Sequence, residues 1–146
     1  MIQRIQSVWL LLAALCNAGL FFFDFYHADV VTNGVAAVEH LRVNDHYPSL
    51  LIALAITIMP LVAIFLFKKR KQQRTVVILS IVFTIGFISN ILMRVTNFNN
   101  SVTPAPTGGT YWIGAVLPAL AIIFMIMAIR GINKDEKLVK SLDRLR

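Results

Sequence analysis

Three histidines are the residues of this sequence best suited to metal binding or proton transfer, and all lie in one polar segment, residues 26–47. They are His27, His40 and His46, and carboxylates accompany them at Asp24, Asp29, Glu39 and Asp45. Imidazole together with carboxylate binds borderline metals such as zinc and copper. A hairpin could bring His27 near His46 at its base, but the spacing matches no standard metal motif. We therefore expect a solvated loop or a partner-binding surface, with metal binding as the alternative.

The sequence offers little else for catalysis. Cys16 and several serines lie inside apolar segments, whereas every histidine lies outside them, so no nucleophile–histidine pair is expected. The Gly108-Gly109 pair is too short for a phosphate-binding loop. Asp24 and Arg94 end apolar segments and could pair with each other, but the segment centres lack charge, which argues against an ion-coupled transporter. We predict no enzymatic activity, no cofactor and no catalytic residue.

The composition is that of a membrane protein. Of the 146 residues, 58% are hydrophobic and 14% are charged, against about 45–50% and 25% in soluble domains. The net charge of +7 comes largely from basic clusters that flank the apolar segments. Such clusters set orientation and contact anionic headgroups. We therefore expect a lipid bilayer with anionic headgroups as a partner and no nucleic acid.

Four apolar segments have about the length needed to cross a bilayer as a helix. They cover residues 7–25, 48–67, 75–93 and 111–129. The basic hinge 68–74 is expected on the cytoplasmic side, because short loops rich in Lys and Arg stay inside. The sequence thus predicts a single all-α membrane domain, a four-helix bundle with both ends inside. The outer loops are residues 26–47 and 94–110, and the cytoplasmic tail is 130–146.

The first outer loop carries a β-hairpin signal. Asn33-Gly34 lies between residues 29–32 and 35–38, and both flanking stretches are rich in strand-forming residues. Asn-Gly favours a two-residue turn, since both central residues need positive φ. The second outer loop lacks periodicity and is predicted to be irregular.

Polar, small and proline residues within the spans predict where helices pack. They are Asn17, Pro60, Gly86, Asn90 and Pro118. Pro60 should kink its helix and free a carbonyl that a neighbouring helix must satisfy. Gly86 and Asn90 lie one turn apart on a face that is expected to point into the bundle.

The cytoplasmic side is predicted to be an interaction surface. Gly131 is expected to end the fourth helix, and the stretch beginning at Asn133 resembles a capping box that starts an amphipathic tail helix. That helix could lie on the inner leaflet; the alternative is a solvated tail. The basic residues assigned to this surface are Lys68, Lys69, Arg70, Lys71, Arg74, Lys137, Lys140 and Arg144.

Both ends of the chain resemble a domain-of-unknown-function family. The resemblance lies in residues 1–7, MIQRIQS, in 134–141, KDEKLVKS, and in 143–146, DRLR. The family's members are small four-span membrane proteins of Gram-negative bacteria, so the resemblance implies four helices in the inner membrane. It implies no activity and no cofactor.

We expect a non-catalytic accessory or assembly subunit of an inner-membrane complex, with another inner-membrane protein as partner. One alternative is a binder or transporter of small molecules or lipids, with a cavity at the kinks of Pro60 and Pro118. A third is an outer-face metal sensor that uses His27 and His46.

Overall fold

A computed structural model describes residues 2–32, 35–102, 106 and 108–143. These residues form four helices: α1 (Ile2–Gly19), α2 (Tyr47–Phe65), α3 (Arg70–Ser101) and α4 (Ile113–Asp143). They also form three strands, β1 (Tyr26–Thr32), β2 (Val35–Leu41) and β3 (Gly109–Tyr111). The sheet follows the C-terminus of α1 and precedes the N-termini of α2 and α4. The opposite end, where α2 joins α3 and α4 ends, carries the basic cluster of residues 68–74.

Helices α2, α3 and α4 are long and apolar enough to cross a membrane. The apolar part of α1, Ile5–Gly19, is shorter than the about 20 residues that a span usually needs. The predicted first span continued to Phe25, but the helix ends at Gly19, whose carbonyl accepts from Phe22 and Phe23 N–H. Phe25 N–H donates to Leu41 O at 3.1 Å, so the residues after Gly19 lead into the sheet.

The connection between α2 and α3 is tighter than the predicted hinge 68–74. A 3₁₀ turn, Leu66–Lys68, ends α2, and α3 begins at Arg70. Lys, Arg and Gln are good helix formers, and no glycine or proline interrupts them here. Helix α3 also continues to Ser101, so the predicted outer loop 94–110 begins as helix. Residues 94–101, RVTNFNNS, are mostly weak helix formers, but this stretch contains neither glycine nor proline, and Val95 is buried against the rest of the protein.

Helix α4 is continuous through the position where a break was predicted. The expectation that Gly131 ends the helix and that a separate tail helix follows is wrong. A Cβ on Gly131 would lie 2.7 Å from Gln6 Cγ, so the glycine allows α1 to approach α4. Gly19 has the same effect at the other end of α1, where a Cβ would lie 2.8 Å from Leu117 Cδ1.

The sheet contains the predicted hairpin and one strand that was not predicted. Strand order is β2-β1-β3 and both pairings are antiparallel. The turn residues Asn33 and Gly34 lie outside the described residues. Strand β3 comes from the region expected to be irregular; Gly108 before it has φ +91, and a Cβ on Gly109 would collide with the ring of Tyr26. Glycines are therefore needed for the chain to turn and approach β1 this closely.

Two buried clusters form the core. The cluster at the sheet end includes Phe25, Ile56 and Phe87, and the cluster at the basic end includes Leu10 and Met125. Large apolar side chains also cover much of the outer surface of the helices. A bundle that is apolar both inside and outside is typical of helices surrounded by lipid.

Candidate functional site

A carboxylate that bridges two imidazoles forms the candidate site at the sheet end. Asp24 Oδ2 lies 3.0 Å from His27 Nε2 and 2.9 Å from His40 Nδ1. The other carboxylate oxygen, Oδ1, accepts from Arg42 Nε at 2.5 Å. We call these four residues the Asp24 cluster.

The strand register brings the cluster together. His27 and His40 are direct partners in the antiparallel β1–β2 pair, so their side chains lie on one face of the sheet. Their ring centroids are 4.2 Å apart. Asp24 lies just before β1 and Arg42 just after β2, so both are at the open end of the hairpin. The third strand contributes through Trp112, which follows it and stacks on His27 with centroids 4.9 Å apart.

Two opposing effects set the pKa of Asp24. Burial would raise the pKa of this carboxyl, but hydrogen bonds from Arg42, His27 and His40 together hold the pKa below its ordinary value. The Asp24 side chain is 11% exposed, whereas that of His40 is 46% exposed. The carboxylate is thus shielded, and the cluster opens to its surroundings on the His40 side.

The same three groups could hold a metal ion. One ligand atom from each of Asp24, His27 and His40 falls in a set whose members all lie within 4.8 Å of one another. Two imidazoles with one carboxylate suit zinc and other borderline metals. The sequence pointed to this loop for metal chemistry.

The predicted meeting of His27 with His46 is wrong. His46 Nδ1 instead lies 3.0 Å from Ser49 Oγ, which donates to Asn90 Oδ1 at 2.7 Å, so His46 belongs to a chain that links α2 to α3. The correct partner was readable from the sequence. A two-residue Asn-Gly turn places opposite each other the positions whose numbers sum to 67, and these include His27 and His40.

The suggested pairing of Asp24 with Arg94 is also wrong. Arg94 Nη1 donates to the backbone oxygen of Arg42 at 2.8 Å, and its guanidinium lies 5.2 Å from the ring centroid of Phe25. Arg42 takes the carboxylate because the hairpin register brings it beside Asp24. Arg94, on α3, therefore holds the backbone just after β2, at Arg42.

A second polar site lies inside the bundle and concerns the predicted helix-packing residues. Asn17 is fully buried, and its Nδ2 donates to the carbonyl of Ile56 at 2.8 Å. Ile56 precedes Pro60 by four residues, so its carbonyl is the one that loses its helical donor to the proline. Asn17 on α1 therefore supplies the bond that α2 cannot make for itself.

Of the other three predicted packing residues, two lie at least partly inside the protein and one is exposed. Asn90 is half-buried and bonded to Ser49, and Pro118 is buried. Gly86, expected to face the bundle, is exposed, and a Cβ on it would meet nothing within 4 Å. Gly86 is not on the buried face of α3. The residues of that face are Gln73, Val77, Ser80, Thr84, Phe87, Ile91 and Val95.

At the basic end, the α2–α3 connection packs against the extension of α4. Arg70 Nη1 donates to Asp135 O at 3.1 Å, and Arg74 Nη1 lies 3.6 Å from Glu136 Oε2. A groove of about 690 Å³ lies here, lined by Lys68, Lys69, Arg70, Lys71, Gln72, Glu136 and Val139. Arg144 and the side chains of Lys137 and Lys140 lie outside the described residues.

Together these features define the class: a helical protein, three of whose helices are long and apolar enough to span a membrane, with a three-stranded sheet at one end. The chain belongs to the family described as a domain of unknown function, DUF4293, whose model matches residues 2–145. The resemblance noted from the two ends of the sequence is thereby confirmed at the level of the family. No curated protein is significantly similar to the chain.

Proposed function

We propose that the protein is a non-catalytic accessory or assembly subunit of a complex in the bacterial inner membrane. The observation that carries this proposal is the exposed edge of the sheet. Residues 35–40 of β2 are all exposed, and within the described residues β1 is the only strand beside β2. Edge strands are usually protected by charge, proline or a bulge. The stretch 35–38, VAAV, carries no charge and no proline. An extended segment of another membrane protein can add to such an edge as a further strand.

Four spans with both ends in the cytoplasm are part of the proposal. Helix α1 packs along α4 from the contact of Gly19 with Leu117 to the contact of Gln6 with Gly131. The α4 stretch from 117 to 131 covers roughly 21 Å of helix at 1.5 Å per residue. It lies within Ile113–Glu136, which is apolar enough to span. A helix that accompanies a span over this distance shares most of its depth in the bilayer.

The charge distribution supports the orientation. Lys68, Lys69 and Lys71 are exposed at the α2–α3 connection, as the positive-inside rule requires of a cytoplasmic end. At the sheet end, Arg42 is bonded to Asp24 and Arg94 is half-buried against Phe25. The groove at the basic end also has the charge to bind phosphate groups of anionic lipid headgroups, which we propose as its ligands.

The packing at the prolines favours this function over a transporter with a cavity at the kinks. Pro60 and Pro118 are both buried. The carbonyl of Ile56, freed by Pro60, is bonded to Asn17 and is therefore not available to a ligand. The Asn17 amide nitrogen and the Ile56 carbonyl thus serve helix packing.

Site-specific photo-crosslinking tests the proposed edge. A photoreactive residue at Val38, which is 55% exposed on β2, should give a cross-linked product with a discrete membrane protein in intact cells. The matched control is Leu51, which is 66% exposed on α2 and is expected to contact lipid. Products with lipid alone at both positions would overturn the proposal. A product of Val38 with a second copy of this chain would also overturn it.

A further inference from the structure

We propose that Asp24, His27 and His40 bind a single divalent transition-metal ion, of which zinc is the natural representative, on the sheet side of the bundle. The proposal goes beyond the docking function, because a metal-loaded cluster would exist with or without a partner on β2. The predicted sensor used His27 and His46; the site proposed here uses the cross-strand pair instead.

The spacing of the ligand atoms carries the proposal. Tetrahedral ligands at about 2.0–2.1 Å from a zinc ion lie roughly 3.3 Å apart. The Asp24 oxygen is already 3.0 Å and 2.9 Å from the two imidazole nitrogens. One ligand atom from each of the three residues belongs to a set whose members all lie within 4.8 Å of one another. Small rotations of the imidazoles are therefore enough to place all three groups around one ion, with a fourth position left for water or a partner's side chain.

Further contacts hold the three ligand side chains in position. The stacking of His27 on Trp112 fixes that ring, and the strand register fixes its position opposite His40. Arg42 holds Asp24 Oδ1 and so orients Oδ2 toward the imidazoles. Second contacts of this kind set the orientation and basicity of metal ligands.

Metal binding requires a change of proton position in the cluster. A nitrogen that donates to Asp24 cannot also bind a metal, so each imidazole must carry its proton on the other nitrogen in the loaded state. Acid pH opposes loading, because protonated imidazole does not bind metals. Charged groups near the site include Asp24 and Arg42. Asp45 accepts from the backbone N–H of Arg42, and Arg94 donates to its backbone oxygen.

Calorimetric titration of the tag-free, detergent-solubilised protein with Zn²⁺ tests the site, with visible absorption of added Co²⁺ as a second readout. The full chain should bind one ion per molecule. His27→Ala and His40→Ala should each lower the affinity by about tenfold or more. His46→Ala is the matched control, since His46 lies in the same loop but outside the cluster, and its affinity should stay within about twofold of the parent.

His40→Cys guards against a loss caused by misfolding. A thiolate is also a zinc ligand, so this variant should bind Zn²⁺ more tightly than His40→Ala. No saturable binding of Zn²⁺ or Co²⁺ by the parent protein would overturn the proposal. So would equal affinities of the His40→Ala, His27→Ala and parent proteins, or a loss in His46→Ala as large as that in His40→Ala.

Discussion

Asn17 Nδ2 donates to the carbonyl oxygen of Ile56 at 2.8 Å, across the interface between α1 and α2. The Asn17 amide replaces the backbone N–H that Pro60 lacks. Asn17 and Pro60, which are distant in sequence, therefore act on the same carbonyl. In lipid, where water cannot satisfy a freed carbonyl, such a hydrogen bond ties α1 to the proline-containing helix α2.

The first prediction concerns this hydrogen bond. Asn17→Leu should destabilise the protein by about 1–2 kcal/mol, because the Ile56 carbonyl is left unpaired. In a Pro60→Ala background the residue at 60 regains an N–H for that carbonyl, so the same change at Asn17 should cost clearly less. Unfolding of the parent protein, the two single variants and the double variant in mixed detergent micelles measures the coupling free energy between Asn17 and Pro60. Strictly additive costs would show that Asn17 and Pro60 act independently.

Two glycines should respond to alanine in opposite directions. A Cβ on Gly114 would lie 2.6 Å from the backbone oxygen of Asp24, which cannot move without disturbing the Asp24 cluster, so Gly114→Ala should lower the melting temperature. Gly86 has open space around it, and Gly86→Ala should be neutral or stabilising by up to about 1 kcal/mol. Thermal unfolding in detergent compares them; equal effects at the two sites would contradict the close approach of α4 to the Asp24 backbone.

The Asp24 cluster should make stability depend on acidity. The folded-state pKa of Asp24 lies below its ordinary value, so its contribution is fully present above about pH 4, near the unfolded carboxyl pKa. The contribution is lost as pH falls from there through the folded pKa. Asp24→Asn should flatten this part of the melting-temperature profile. A variant profile parallel to that of the parent protein between pH 5 and the acid limit, roughly pH 2–3, would count against the cluster.

The basic end should hold anionic lipid. Replacing Lys68, Lys69 and Lys71 together by Gln should reduce the anionic phospholipid that accompanies the protein into polymer-bounded discs, since each cation near the surface contributes about 1 kcal/mol. Lipid analysis by mass spectrometry measures this. Lys134→Gln serves as a control at an exposed cation of α4 that does not line the groove. An unchanged lipid composition in the triple variant would contradict the proposal that the groove binds anionic lipid.

The sequence predicted what depends on local pattern. Long apolar runs gave α2, α3 and α4, and the Asn33-Gly34 pair between strand-forming stretches gave the two hairpin arms. It did not predict features that depend on contacts between distant segments. Gly131 looks like a helix end from its neighbours, but its contact with Gln6 makes it a packing position within a continuous helix. Strand β3 is too short to show a periodicity and forms because β1 offers an edge.

The candidate site shows the same division. The residue types of the Asp24 cluster were recognisable, but the choice between His40 and His46, and between Arg42 and Arg94, depends on strand register. The register follows from the turn, so His40 was within reach of the sequence. The role of Arg94 was not, because it depends on how α3 packs beside the sheet.

Thiol labelling from outside the cell tests the central claim, that the sheet and the basic end lie on opposite sides of the membrane. In a Cys16→Ser background, Val38→Cys and Gln72→Cys each introduce one exposed thiol, at the sheet and at the basic end. With a membrane-impermeant maleimide on intact spheroplasts, Val38→Cys should be labelled, and Gln72→Cys should be labelled only after permeabilisation. Labelling of Gln72→Cys in intact spheroplasts would contradict the account.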